Sequence, residues 1–183
     1  MAKNSIGLLE LNSIAAGIHI TDTMLKTADV ELILARTICS GKYMIIVRGS
    51  VSAVQASVQS GIDCWEGTVI DSIVIPNVHP SIFPAIGGSN VVRKTGALGV
   101  IESFSVASLI EGADAAVKAA DVQLLEIRLA MALGGKAFAS MTGDVSSVTE
   151  AVEIGARVIM EKGLLVNKAV IAAPEKELFR NFI

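Results

Sequence analysis

The stretch from Gly7 to Arg36, GLLELNSIAAGIHITDTMLKTADVELILAR, returns 92 residues later as Gly99 to Arg128, GVIESFSVASLIEGADAAVKAADVQLLEIR. Twelve of the thirty aligned positions are identical, where average residue usage gives about two by chance, roughly one match in sixteen. The matches include Gly7/Gly99, Glu10/Glu102, Asp22/Asp114, Lys26/Lys118 and the run Ala28-Asp29-Val30 against Ala120-Asp121-Val122. Beyond Arg36 the offset becomes 94, with Gly41-Lys42 meeting Gly135-Lys136, Gly49 meeting Gly143 and Gly61 meeting Gly155. The chain is one unit written twice, and the second copy has gained two residues between its arginine and its Gly-Lys pair.

Each copy carries the same order of signals. Ile6 to Glu10 is a short apolar strand, and Ser13 opens a helix in which Ile14, Ile18, Met24, Leu25 and Ala28 recur at helical spacing. Val30 to Thr37 is rich in β-branched and aliphatic residues, Cys39-Ser40-Gly41 is a turn, and Tyr43 to Val47 is the next strand, so the segment predicts a hairpin. Ser50 caps a second helix with Val51, Val54 and Val58 on one face, expected to end near Gly61, and Ile70 to Ile75 is a fourth strand closed by Pro76. The order β-α-β-β-α-β predicts an α+β, ferredoxin-like unit: a four-stranded antiparallel sheet with both helices on one face. Two tandem domains are expected, 1–92 with a linker from about residue 77, and 93–183. The linker, Pro76 to Gly96, holds three of the four prolines and Gly87-Gly88. In the second copy, Leu124-Leu125-Glu126-Ile127-Arg128 is expected to place its charges on the sheet face away from the helices.

Composition narrows the function. Of 183 residues, 52% are hydrophobic and only 18% charged, with a net charge of -3. So few charges leave much of a monomer's surface apolar, which predicts burial against partners. No Lys/Arg stripe is present and aromatics number seven, five Phe, one Trp and one Tyr, which argues against a nucleic-acid partner. No apolar run approaches a membrane span, and the opening Met1-Ala2-Lys3-Asn4-Ser5 lacks signal-peptide character. No membrane and a cytoplasmic location are the expectations. The two histidines, His19 and His79, make no credible triad or zinc constellation, so an enzyme is not expected. Gly87-Gly88 and Gly134-Gly135 match neither a dinucleotide fingerprint nor a phosphate loop.

These residues resemble a known family, the shell proteins of bacterial microcompartments, and in particular its tandem-domain, trimer-forming members. The openings Ile6-Gly7-Leu8-Leu9-Glu10 and Leu98-Gly99-Val100-Ile101-Glu102 look like that domain's first strand, and the segments ending in Ala28-Asp29-Val30 and Ala120-Asp121-Val122 look like the end of its first helix. The resemblance covers essentially the whole chain. Arg36-Thr37-Ile38-Cys39-Ser40-Gly41-Lys42 is similar to the pore loop of the iron–sulfur, propanediol-utilisation type, with Ser40 standing where a proline is expected, a change that loosens the loop without removing a ligand.

The resemblance implies a homotrimer whose six pseudo-equivalent domains form a flat tile, assembling with other shell proteins into a microcompartment shell. Three Cys39 thiolates around the threefold axis would supply three of the four irons of one shared [4Fe-4S] cluster, the fourth iron falling to a non-cysteine ligand. It implies electron transfer across the shell, with an encapsulated redox enzyme as partner. The alternative is a pore for small metabolites without a cluster. The implied pore-loop residues are Ile38, Ser40 and Gly41 in the first copy and Leu133, Gly134 and Gly135 in the longer second loop. The implied tile-edge residues are Lys26, Lys118, Asn77 and His79.

Bland readings stand beside these. Cys39 alone is no metal motif and free cysteine is often buried packing. Cys64, next to Trp65 at a helix end, is expected to pack on the apolar face. Lys26 and Lys118 would otherwise be solvated lysines meeting the negative ends of helix dipoles, and His79 a satisfied surface histidine. Glu10 and Glu102 are expected to be strand residues retained by duplication.

Overall fold

A computed structural model describes residues 4–65, 67–90, 96–130 and 133–179. The chain divides into two units, Met1–Val78 and His79–Ile183. The boundary expected between residues 92 and 93 lies outside the described residues. The first unit runs β1 (Ser5–Leu11), α1 (Ile14–Thr27), β2 (Val30–Ile38), a 3-10 turn (Cys39–Gly41), β3 (Lys42–Gly49), α2 (Val51–Cys64) and β4 (Val69–Ile75). The second contains α3 (Ile82–Gly87), β5 (Ala97–Ser103), α4 (Val106–Ala119), β6 (Val122–Leu129), β7 (Ala137–Gly143), α5 (Val145–Glu161), β8 (Leu165–Ile171) and α6 (Lys176–Phe179). The sheets have the strand orders β2-β3-β1-β4 and β6-β7-β5-β8, antiparallel throughout. Both are the ferredoxin-like arrangement that the repeat predicts.

The caps are local and fall where the serines are. Ser13 Oγ accepts from the Ala16 N–H at 3.3 Å and Ser50 Oγ from the Ala53 N–H at 3.3 Å. Ser105, the counterpart of Ser13, accepts from the Ser108 N–H at 3.2 Å. Each cap of this kind stabilises its helix by about 1 kcal/mol.

Period-2 alternation then seats the helices. In the first unit Leu9 and Leu11 of β1, with Tyr43, Ile45 and Val47 of β3, meet Ile20 and Met24 of α1 and Val54 and Val58 of α2 in one buried core. Burial of each such aliphatic side chain contributes about 1.5–3 kcal/mol. The sheet bulges between Leu124 and Glu126, yet Glu126 and Arg128 still pair opposite Ser140 and Phe138, on the face away from Ala137, Ala139 and Met141. Arg128 lies over the Phe138 ring, 5.3 Å from its centre, a cation–π contact on that outer face.

The glycine expected to end α2 has another job. The helix continues through Gly61 to Cys64, and a Cβ at Gly61 would stand 2.6 Å from Leu9 Cδ1. Its counterpart Gly155 also lies inside a helix, α5, where a Cβ would stand 2.6 Å from the Gly112 carbonyl oxygen of α4. The glycines mark close helix packing, with backbone against backbone in the second unit. The segment 79–90, placed in the linker by its prolines and glycines, contains α3, which packs on β6 and α4. The Asn90 side chain donates to the Leu124 carbonyl at 2.9 Å.

Gly155→Ala must push α4 and α5 apart against backbone, whereas Gly61→Ala meets only side-chain atoms, Leu9 Cδ1 first. Thermal and urea unfolding should show a loss of about 1–3 kcal/mol for Gly155→Ala and a smaller one for Gly61→Ala.

Candidate functional site

The β2–β3 connection of the first unit is a reversal made by two consecutive left-handed residues, Ser40 (φ 64°, ψ 29°) and Gly41 (φ 72°). Ile38 at the end of β2 is buried, Cys39 is half-buried, and Ser40 and Gly41 are exposed at the tip. Cys39 is not in a disulfide. Proline, with φ held near −65°, is excluded from the conformation Ser40 adopts. Ser40 thus holds a turn that a proline at this position could not adopt.

The corresponding connection of the second unit differs. Ala130 (φ 44°) ends the β6 side, and Gly134 (φ 61°) and Gly135 (φ 87°) turn the chain into β7. The Lys136 N–H donates to the Leu133 carbonyl at 3.1 Å. No cysteine stands in this loop.

Beneath both loops lies a feature that sequence reasoning missed. Lys42 Nζ meets Glu10 Oε1 at 2.8 Å, and Lys136 Nζ meets Glu102 Oε1 at 2.9 Å. The cause is register. Glu10 pairs opposite Met44 and Glu102 opposite Phe138, so each lysine, two residues earlier on the neighbouring strand, is the diagonal neighbour on the same sheet face. The Glu10 side chain is only 11% exposed, so Lys42 meets it in a largely dry setting. The signal was present, since both glutamates and both lysines are repeat-conserved within this chain, but only the β1–β3 and β5–β7 registers join them.

The expected edge residues lie apart from the loops in sequence and in structural context. Lys26 pairs with Asp22 at 2.6 Å with both side chains mostly solvated. Lys118 pairs with Asp114 at 2.5 Å, and here Asp114 is buried and also accepts the His79 backbone N–H at 2.7 Å. Asn77 is exposed with φ 53°. The His79 ring is satisfied, its Nδ1 lying 2.8 Å from Ser81 Oγ and accepting from the Ser81 N–H at 3.3 Å. Cys64 packs against the first core, with its Sγ 3.5 Å from His19 Nδ1 and 3.6 Å from Thr23 Oγ1. The Trp65 indole N–H donates to the same His19 nitrogen at 3.3 Å.

Among the described residues no three His, Cys, Asp or Glu side chains gather as a metal cage. Cys39 offers one thiolate per chain. No helix among the described residues is long and apolar enough to cross a membrane.

Two ferredoxin-like units stand in tandem, each with a glycine-turned loop over a Glu–Lys pair, and together they define a duplicated α+β domain. The BMC domain matches residues 5–78 and 97–174, and the chain belongs to the family of bacterial microcompartment shell proteins. It is 43% identical to the bacterial microcompartment shell protein PduT of Citrobacter freundii over 181 residues, 99% of this chain and 98% of that one. The crystal structure of a microcompartment protein from Desulfitobacterium hafniense superposes with a TM-score of 0.95 at 47% identity, covering 98% of this chain and 99% of that chain. The fused permuted hexameric shell protein MSM0275 shares the fold, with a TM-score of 0.61 at 20% identity over 85% of this chain and 81% of that one.

A double-mutant cycle on Glu10→Gln and Lys42→Met should give a coupling of about 1 kcal/mol or more in urea denaturation, as a part-buried pair. The solvated Asp22–Lys26 pair should couple by less than about 0.5 kcal/mol.

Proposed function

We propose that this shell protein is a non-catalytic tile, a homotrimer in which three Cys39 loops meet at the threefold axis and hold one [4Fe-4S] cluster for electron transfer across the shell. The observation that carries the reading is the placement of Cys39. It is half-buried in the reversal between β2 and β3, outside any disulfide, in the only one of the two equivalent loops that has a cysteine.

The donor set fits the cluster only in that assembly. Four-iron clusters ordinarily take four thiolates, and a single chain brings one to this loop. Three chains bring three, leaving one iron to a non-cysteine ligand. Bound, the group supplies one-electron redox chemistry. Cys39 would ligate it, the left-handed turn at Ser40-Gly41 would carry the thiol inward, and the Lys42–Glu10 pair would keep the base of the loop in register with β1. An encapsulated redox enzyme is the electron partner this reading requires. Lys26, Lys118, Asn77 and His79 are assigned to tile edges.

Anaerobically purified wild type should contain about four irons and four sulfides per three chains, with visible absorbance and an EPR signal after reduction. Cys39→Ser should lose all of these while remaining trimeric. A wild-type trimer without iron that resists reconstitution would overturn the cluster and leave the axis as a passage for small metabolites.

A further inference from the structure

The second cysteine stands in a constellation that neither the fold nor the Cys39 loop uses. Cys64 ends α2 beside α1, with its Sγ 3.5 Å from His19 Nδ1 and 3.6 Å from Thr23 Oγ1. The Trp65 indole N–H, a group that only donates, is directed at the same Nδ1 at 3.3 Å. Nδ1 is therefore the bare nitrogen of a neutral ring, and the ring proton is on Nε2. The Thr23 hydroxyl donates to the His19 carbonyl at 3.2 Å, so its oxygen is left to accept from the thiol. The Cys64 S–H thus has two acceptors in reach, one of them a base. Cys64 is half-buried at the edge of the first core, while His19 and Trp65 are exposed around it.

The same corner of the second unit is built differently. Glu111, 92 residues on from His19, pairs with Lys162 just beyond α5. An ordinary ion pair fastens the first helix to the end of the second there, so packing does not demand a thiol and an imidazole. The other charged residues of α1 and α2 are engaged, Asp22 with Lys26 at 2.6 Å and Asp63 with the Gln59 amide at 2.8 Å. The strand residues of the core against which Cys64 packs are apolar but for the Tyr43 phenol. His19 is the base that faces the sulfur.

We infer that Cys64 is a modification site, a nucleophilic thiol served by His19 as general base, which takes a small-molecule disulfide and becomes a mixed disulfide. The carbonyl end of α2 does not stabilise a standing thiolate, so the proton passes to Nδ1 as the sulfur attacks, and the Trp65 N–H gives way. A bond forms between Cys64 Sγ and one sulfur of the small molecule, whose S–S bond breaks. The electron pair leaves on the other sulfur, which takes the proton back from Nδ1. Cys64 is oxidised and the released thiol is the reduced product. The inference does not depend on the trimer or the cluster.

The test uses Cys39→Ser, in which Cys64 is the one remaining thiol of the full chain. Glutathione disulfide should add once per chain by mass spectrometry. Dithiobis(nitrobenzoate) should react about tenfold or more faster near neutral pH than with the Cys39→Ser, His19→Gln protein, and the two rates should converge in urea. With His19 present the rate should hold level between about pH 6.5 and 8.5 and fall below, as the ring takes up a proton. Without it the rate should fall throughout that range with the thiolate. Equal native rates, or reaction only in urea, overturn the inference. Should His19→Gln unfold, the level stretch in the profile of the His19 protein decides, and its absence overturns the inference as well.

Discussion

Everything in each unit rests on a missing side chain at the centre of its sheet. Gly7 on β1 and Gly99 on β5 sit beneath the second helix of their units, and a Cβ at either would stand 2.6–2.8 Å from two valines: Val54 and Val58 in the first, Val148 and Val152 in the second. Contacts that short do not occur between packed carbons. Because the strand is bare there, the helix can press onto it, and that depth of seating aligns the first helix, the β2–β3 hairpin and the loop at its end. Duplication has kept this constraint and both valines that meet it, while the third neighbour has changed from Val47 to Met141.

How the neighbours changed shows what the core conserves. Gly17 lies under the Tyr43 ring, with room for nothing more, since a Cβ there would be 2.4 Å from the ring. In the second copy the same two places hold Leu109 and Ala137, both buried. A small residue under a large one has become a large residue over a small one, so the volume between helix and hairpin is filled either way. The loops were under no such volume constraint, and there the copies diverged in length, in cysteine content and in turn type.

Strand and helix order, the serine caps and the duplication were legible because periodicity, capping and self-similarity are local signals. The outward placement of Glu126 and Arg128 was legible for the same reason, despite the bulge beside them. Gly61 was misread because a glycine late in a helical pattern looks like a terminus, while its actual role depends on Leu9, far away in sequence. The Glu10–Lys42 pair depends likewise on the register between β1 and β3. The short α3 hides in a stretch whose Pro84 and Gly87-Gly88 look like linker, because packing on β6 rather than propensity makes it a helix. That Cys39 lies in the β2–β3 turn was legible from the strand patterns on either side, whereas its half-burial and the left-handed Ser40 next to it are assigned by no propensity rule.

The paired lysine and glutamate at the root of each loop also govern how the loops look to a distant ion. Each pair sums to zero charge, so of the pair itself only a short-range dipole remains beyond a few ångströms of water and salt. A charged group approaching either turn meets no net charge from the pair, and any preference of sign is left to the other charges around it. Neutralising a single member of a pair would leave its partner uncompensated, so the local sign at the root of each loop is one substitution away from either polarity.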